Sequence, residues 1–147
     1  MKNICFALLL LVQTIANASD VASLKAFIEG GKTATVSGEM LIEGIVASDY
    51  RSLNTALNPN KTYAVVDNTI NGKTVYIQDP DGNCGAEMVF VNESDNRLCR
   101  GDRVVIDLNG CSVTHFTDPD RVQVNGLTFL NVVSCERPDK DGLTPKE

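Results

Sequence analysis

The chain has 147 residues, 43% hydrophobic and 22% charged, with 13 Lys+Arg against 19 Asp+Glu and a formal charge of −6. That is one domain's worth at about 100–150 residues per domain, and the apolar share excludes wholesale disorder. The acidic balance argues against strong nonspecific binding to phosphate backbones, which takes a basic footprint. One histidine and no tryptophan leave little for a His-rich metal centre.

Residues 1–18 read as a signal peptide: Lys2, an apolar stretch over 4–15, then Ala16-Asn17-Ala18 as a small-x-small cleavage site before Ser19. The apolar run is shorter than the roughly 20 residues of a membrane span. The mature chain is therefore expected to be exported, to the periplasm, cell surface or exterior, with no transmembrane segment. Cleavage removes Lys2 and Cys5, which makes the chain one unit more acidic and leaves Cys84, Cys99, Cys111 and Cys135. An even cysteine count in an exported chain reads as up to two disulfides. Sequential pairing, Cys84–Cys99 and Cys111–Cys135, closes the shortest loops; reduced thiols packed as small hydrophobes are the other reading. No C-x2-C spacing points to zinc.

Ser19-Asp20 looks like a helix start, and Val21, Leu24, Phe27 and Ile28 follow at helical spacing until Gly30-Gly31. This predicts a short amphipathic helix of about ten residues. Residues 40–48 alternate as a strand covered on both faces, with Gly44 marking a bulge or a close backbone approach. The stretch 49–72 is the least regular, with a turn at Asn58-Pro59-Asn60 and a short strand over 63–66. Residues 74–79 read as a strand with Val75 and Ile77 on one face and Tyr76 and Gln78 on the other. Asp79-Pro80-Asp81-Gly82-Asn83 is a turn, and 86–91 returns as the hairpin partner. After a polar loop over 92–100, Gly101-Asp102 leads into a strand whose Val104, Ile106 and Leu108 face inward and whose Arg103, Val105 and Asp107 face out. Gly110 breaks or bends it, and 111–116 continues. Asp118-Pro119-Asp120 turns the chain into 122–125, and 129–134 closes the set. The tail, 137–147, is charged and expected to be disordered. The reading for 19–136 is mainly β: a small, closed or nearly closed barrel of five to six strands with a short N-terminal α-helix.

Four segments taken in order carry a resemblance. They are Ser23-Leu24-Lys25-Ala26-Phe27, Ile42-Glu43-Gly44-Ile45-Val46-Ala47-Ser48-Asp49, Val75-Tyr76-Ile77-Gln78-Asp79 and the run from Arg100-Gly101-Asp102-Arg103-Val104 to Gly110. Together, over roughly residues 20–135, the chain resembles domain of unknown function 5689, found in secreted and surface proteins of the Bacteroidota. That resemblance implies an OB-fold-like barrel and brings no catalytic residues with it.

Nothing in the sequence forms a catalytic constellation, so no catalytic residue, metal ligand or cofactor is assigned. Asp79 and Asp81 lie in a calcium-loop-like turn that lacks EF-hand spacing and its closing Glu. They carry the enzymatic alternative, a metal-dependent hydrolase or nuclease. His115 is expected to be a surface or half-buried histidine, since a general base needs a partner within hydrogen-bond reach. OB-like barrels bind along their second and third strands and the adjoining loops. This points to Tyr76 and Gln78, with Glu87, and to Tyr50, Arg51, Asn54, Asn58 and Tyr63. Arg97, Arg100, Arg103 and Arg121 form a modest basic group, read as a solvated rim. The expectation is an exported, non-catalytic binding module for a glycan, a protein or a single-stranded nucleic acid. A structural or accessory domain of a cell-surface system is the alternative.

Overall fold

A computed structural model describes residues 18–48 and 72–138. Over these the chain is mainly β. A short helix, α1 (Ser23–Phe27), precedes β1 (Thr33–Thr35), β2 (Leu41–Val46), β3 (Thr74–Gln78), β4 (Gly85–Phe90), β5 (Arg103–Asp107), β6 (Ser112–Thr117), β7 (Asp120–Leu127) and β8 (Val132–Glu136). All eight strands belong to one sheet in the order β1-β6-β7-β4-β3-β2-β5-β8. Its pairs are antiparallel except β4 with β7, which run parallel.

The expected barrel of five to six strands needs correcting. Among the described residues there are eight strands, and the sheet is open, with β1 and β8 at its edges. It is not flat, however. β6 and β5 stand second and seventh in the order, so five strand spacings of about 4.8 Å would put them roughly 24 Å apart in a flat sheet. Only residues 108–111 join them, a link that reaches about 17 Å from Asp107 to Ser112 at full extension. The sheet must therefore curl until its two ends approach. It stays open because the strands break at the same place from both sides, over 36–40 and over 108–111. Gly110, at φ 81°, takes the chain out of the extended conformation there. Isolated hydrogen bonds remain where a ladder would close: Val36 N–H to Cys111 O (2.9 Å), Gly110 N–H to Val36 O (3.0 Å) and Leu108 N–H to Met40 O (2.9 Å).

Period-two alternation explains the core. β2 and β5 alternate partly exposed or exposed with buried residues, and Val104, Ile106 and Leu108 are fully buried. The inner face also takes Val75 and Ile77 from β3, Ala86, Met88 and Phe90 from β4, and Val122, Val124 and Leu127 from β7. One strand-lined cluster results, with Leu24 of α1 inserted at 0% exposure. Burying such a side chain contributes about 1.5–3 kcal/mol. The helix is five residues long rather than about ten. Its approach is fixed by Asp79, whose Oδ1 accepts the Val21 N–H at 2.6 Å.

Gly44 supplies a close approach, not a bulge, because the β2–β5 register runs through it without a shift. A Cβ there would lie 3.1 Å from the Gln78 carbonyl oxygen and 3.3 Å from both Ile77 Cδ1 and Val21 Cγ2. β8 is held differently from the rest. Apart from half-buried Val132 its residues are exposed, so ladder bonds and end anchors place it rather than burial. At its start Asn131 donates from Nδ2 to Asp107 O (2.8 Å). Past its end, Arg137 grips Asp102 through Nε (2.9 Å) and Nη2 (3.0 Å). Arg137 thus belongs with the sheet, one residue beyond the expected boundary at 136.

Candidate functional site

The hairpin expected from 74–79 and 86–91 forms as β3 and β4, with Tyr76 opposite Glu87 and Gln78 opposite Gly85. β7 lies parallel beside β4 and brings Gln123 level with Glu87, and β6 adds Thr114 level with Gln123. β1 then places Thr33 opposite Thr114, their hydroxyls 2.9 Å apart. The outer surface therefore carries one polar row across five strands: Tyr76, Glu87, Gln123, Thr114, Thr33.

Glu87 is its centre. Its carboxylate accepts from Arg121 Nη1 (2.8 Å) and Gln123 Nε2 (2.9 Å), and from the Tyr76 hydroxyl at 3.4 Å. Gln123 Oε1 in turn accepts from Asn125 Nδ2 at 3.0 Å. The Arg121 guanidinium stacks 4.0 Å from the Phe116 ring centroid, a cation–π contact that fixes its plane. Tyr76 is 50% exposed, so one side of its ring is open to a ligand. Burial of its polar end, then the neighbouring Glu87 charge, push the phenol above its ordinary pKa, while Arg121 pulls it down. It therefore stays a neutral donor at physiological pH. Tyr76, Gln78, Gly85, Glu87, Arg121 and Val122 line a shallow cleft of about 240 Å³. That is below the 300–1,000 Å³ or so of pockets that enclose a small molecule.

The structure thus brings Tyr76 and Gln78 to one cleft. Tyr50, Arg51, Asn54, Asn58 and Tyr63 lie outside the described residues. The arginines have separate partners: Arg103 pairs with Glu43 (2.6 Å), Arg97 stacks 4.3 Å over Phe129, and Arg121 serves Glu87, while Arg100 is exposed. His115 is half-buried, as expected. Its Nε2 lies 2.7 Å from Asp120 Oδ1 and its Nδ1 3.2 Å from Ile28 O, while Lys25 Nζ holds the other Asp120 oxygen at 2.7 Å. With both ring nitrogens engaged, the imidazole ties α1's end to β6 and β7. Asp79 serves the Val21 N–H, and the Asp81 oxygens accept from Asn83 N–H (3.2 Å) and Asn83 Nδ2 (2.7 Å). No group of three His, Cys, Asp or Glu among the described residues is placed to hold a metal.

Cys84, Cys99, Cys111 and Cys135 are free thiols in this structure. Cys111 is buried beside Asn131, whose Nδ2 is 3.7 Å from its sulfur, whereas Cys135 lies four residues further along β8. Desolvation, then Asp107, raises the Cys111 thiol pKa.

Gln123, Asn125 and Phe116 escape the sequence reading, which has Arg121 only as part of a solvated rim. The alternation Arg121-Val122-Gln123-Val124-Asn125 shows that the polar three share a face, but not which strand that face joins.

No family model matches the chain, and neither the curated proteins nor the solved structures contain a match. No helix among the described residues is long and apolar enough to cross a membrane.

Proposed function

We propose that this protein is an exported, non-catalytic binding module with an OB-like chain path, and that the Glu87 row recognises an uncharged, hydroxyl-rich glycan chain. Taking the β1/β2 run and the β5/β6 run each as one bent strand reduces the sheet to five strands plus the β8 edge. That agrees with the partly open five-stranded OB architecture, which binds oligonucleotides and oligosaccharides on its second and third strands. Those strands are β3 and β4 in this chain, which carry Tyr76, Gln78 and Glu87. The resemblance to domain of unknown function 5689 fits the same reading.

The observation that carries the ligand class is Glu87 at the centre of the row, flanked by an exposed ring and two amides. The Glu87–Arg121 ion pair leaves the row without excess positive charge for phosphates, and the neighbouring amides match sugar hydroxyls. The half-exposed Tyr76 ring offers a stacking platform for a sugar's apolar face.

The test is binding of the mature protein to a glycan array, followed by titration of any hit at about 50 and 200 mM salt. Saturable binding that barely changes with salt and falls at least tenfold in Tyr76→Ala and Glu87→Gln supports the proposal. Tm must stay unchanged in both variants. Binding of single-stranded DNA or RNA with a steep salt slope, or glycan binding indifferent to both substitutions, overturns it. No ligand of any class would favour an accessory structural role.

A further inference from the structure

We propose that Cys99 and Cys135 are a covalent modification site, forming a disulfide that staples the edge strand β8 to the turn leading into β5. Both cysteines converge on one carboxylate oxygen. Asp102 Oδ2 accepts the Cys99 backbone N–H at 2.7 Å and lies 3.5 Å from Cys135 Sγ. The Cys135 sulfur and the Cys99 backbone nitrogen are thus no further apart than those two distances combined, which makes the two cysteines neighbours across Asp102. The 99–102 turn, closed by Asp102 N–H to Cys99 O (3.0 Å), and the β8 register with Cys135 opposite Val104, hold the two residues on adjacent segments.

Accessibility fits. Cys135 is exposed and Cys99 half-buried, so a small oxidant reaches them, whereas Cys111 is buried and engaged by Asn131. The staple also has a purpose in this fold. β8 buries almost nothing of its own, and an edge strand placed by hydrogen bonds rather than by burial frays most readily. Forming the bond leaves Asp102 satisfied, because Arg137 and the Cys99 N–H remain as donors.

The oxidant is a disulfide of low molecular weight, such as oxidised glutathione. One cysteine thiolate attacks a sulfur of that disulfide and expels its partner as a thiolate, leaving a mixed disulfide on the protein. The second cysteine thiolate then attacks the protein sulfur and expels the other small thiolate. The two protein thiol protons end on the two small thiols, and the two electrons have passed to the reductant so formed. In the cell the step rests on the exported reading, since a reducing compartment keeps the pair open; in glutathione buffers it does not.

The experiment equilibrates the mature protein in glutathione buffers of rising oxidation, blocks free thiols with an alkylating reagent, and maps the peptides by mass. The expected product has lost two hydrogens, about 2 Da, and yields a Cys99–Cys135 cross-linked peptide with Cys84 and Cys111 alkylated after unfolding. Oxidised protein should melt about 10 °C or more above reduced protein, and that gap should vanish in C99S and in C135S but persist in C84S. A Cys84–Cys99 cross-link, four alkylated thiols at every poise, or an oxidation-dependent Tm that survives C99S overturns the proposal.

Discussion

Asp102 is the residue on which the placement of β8 turns, and its substitution gives the sharpest test of how this sheet is held. Its side chain is fully buried and accepts from the Cys99 N–H (2.7 Å), Arg137 Nε (2.9 Å) and Arg137 Nη2 (3.0 Å), with Cys135 Sγ at 3.5 Å. In Asp102→Ala the Cys99 N–H loses its acceptor in a part-buried turn, which costs about 1–3 kcal/mol. The vacated space adds about 1 kcal/mol. Arg137 is half exposed, so solvent takes over its hydrogen bonds and it receives no share of this sum. The expected loss is about 3 kcal/mol, a fall in Tm of about 10 °C for a domain this size. Urea and thermal unfolding of the reduced protein measure it. The pH dependence gives an independent check. Burial alone would raise the Asp102 pKa, but the Arg137 hydrogen bonds, the Cys99 N–H, the Arg137 charge and the Cys135 thiol together lower it. A carboxyl lowered in the folded state contributes stability that is fully present above the unfolded value of about 3.9 and is lost as pH falls through the folded one. Asp102→Asn should therefore flatten the decline in stability below about pH 4. A Tm for Asp102→Ala within about 2 °C of wild type, or an unaltered acid limb in Asp102→Asn, would refute the reasoning.

Two further outcomes follow from the same structure. Gly44→Val should cost about 1–3 kcal/mol by overpacking, because its Cβ meets the Gln78 carbonyl oxygen at 3.1 Å; a urea midpoint unchanged from wild type would show that the hairpin can move aside. Asp120 is held below the ordinary carboxylate range by its hydrogen bonds from Lys25 first and His115 second. Its stabilisation is thus present above about pH 4 and disappears on acidification through the folded value. The Tm difference between wild type and Asp120→Asn should accordingly shrink below that pH and in high salt; a difference constant with pH would contradict the ion-pair account.

Local chemistry made part of this protein readable. The β3–β4 hairpin followed from alternation on both sides of Asp79-Pro80-Asp81-Gly82-Asn83, and Tyr76 and Gln78 were placed correctly on its outer face. Three of the five residues of the polar row were not readable, because Gln123, Thr114 and Thr33 join it only through the pairing of β4 with β7, β7 with β6 and β6 with β1. A parallel partner 36 residues away leaves no mark in the spacing of either strand.

The same division holds for the molecule as a whole. A size fit for one domain, an acidic surface, period-two strands and a short apolar helix follow from the chain alone, since each depends on residues within a few positions of one another. The eight-stranded order, the seam that keeps the curled sheet open, and the meeting of Cys99 with Cys135 at Asp102 were decided by tertiary structure. Cross-strand register is set by how distant side chains share one core. The cysteines show the difference most plainly: loop length favours neighbours in sequence, whereas the fold brings Cys99, before β5, and Cys135, in β8, to the same Asp102 carboxylate.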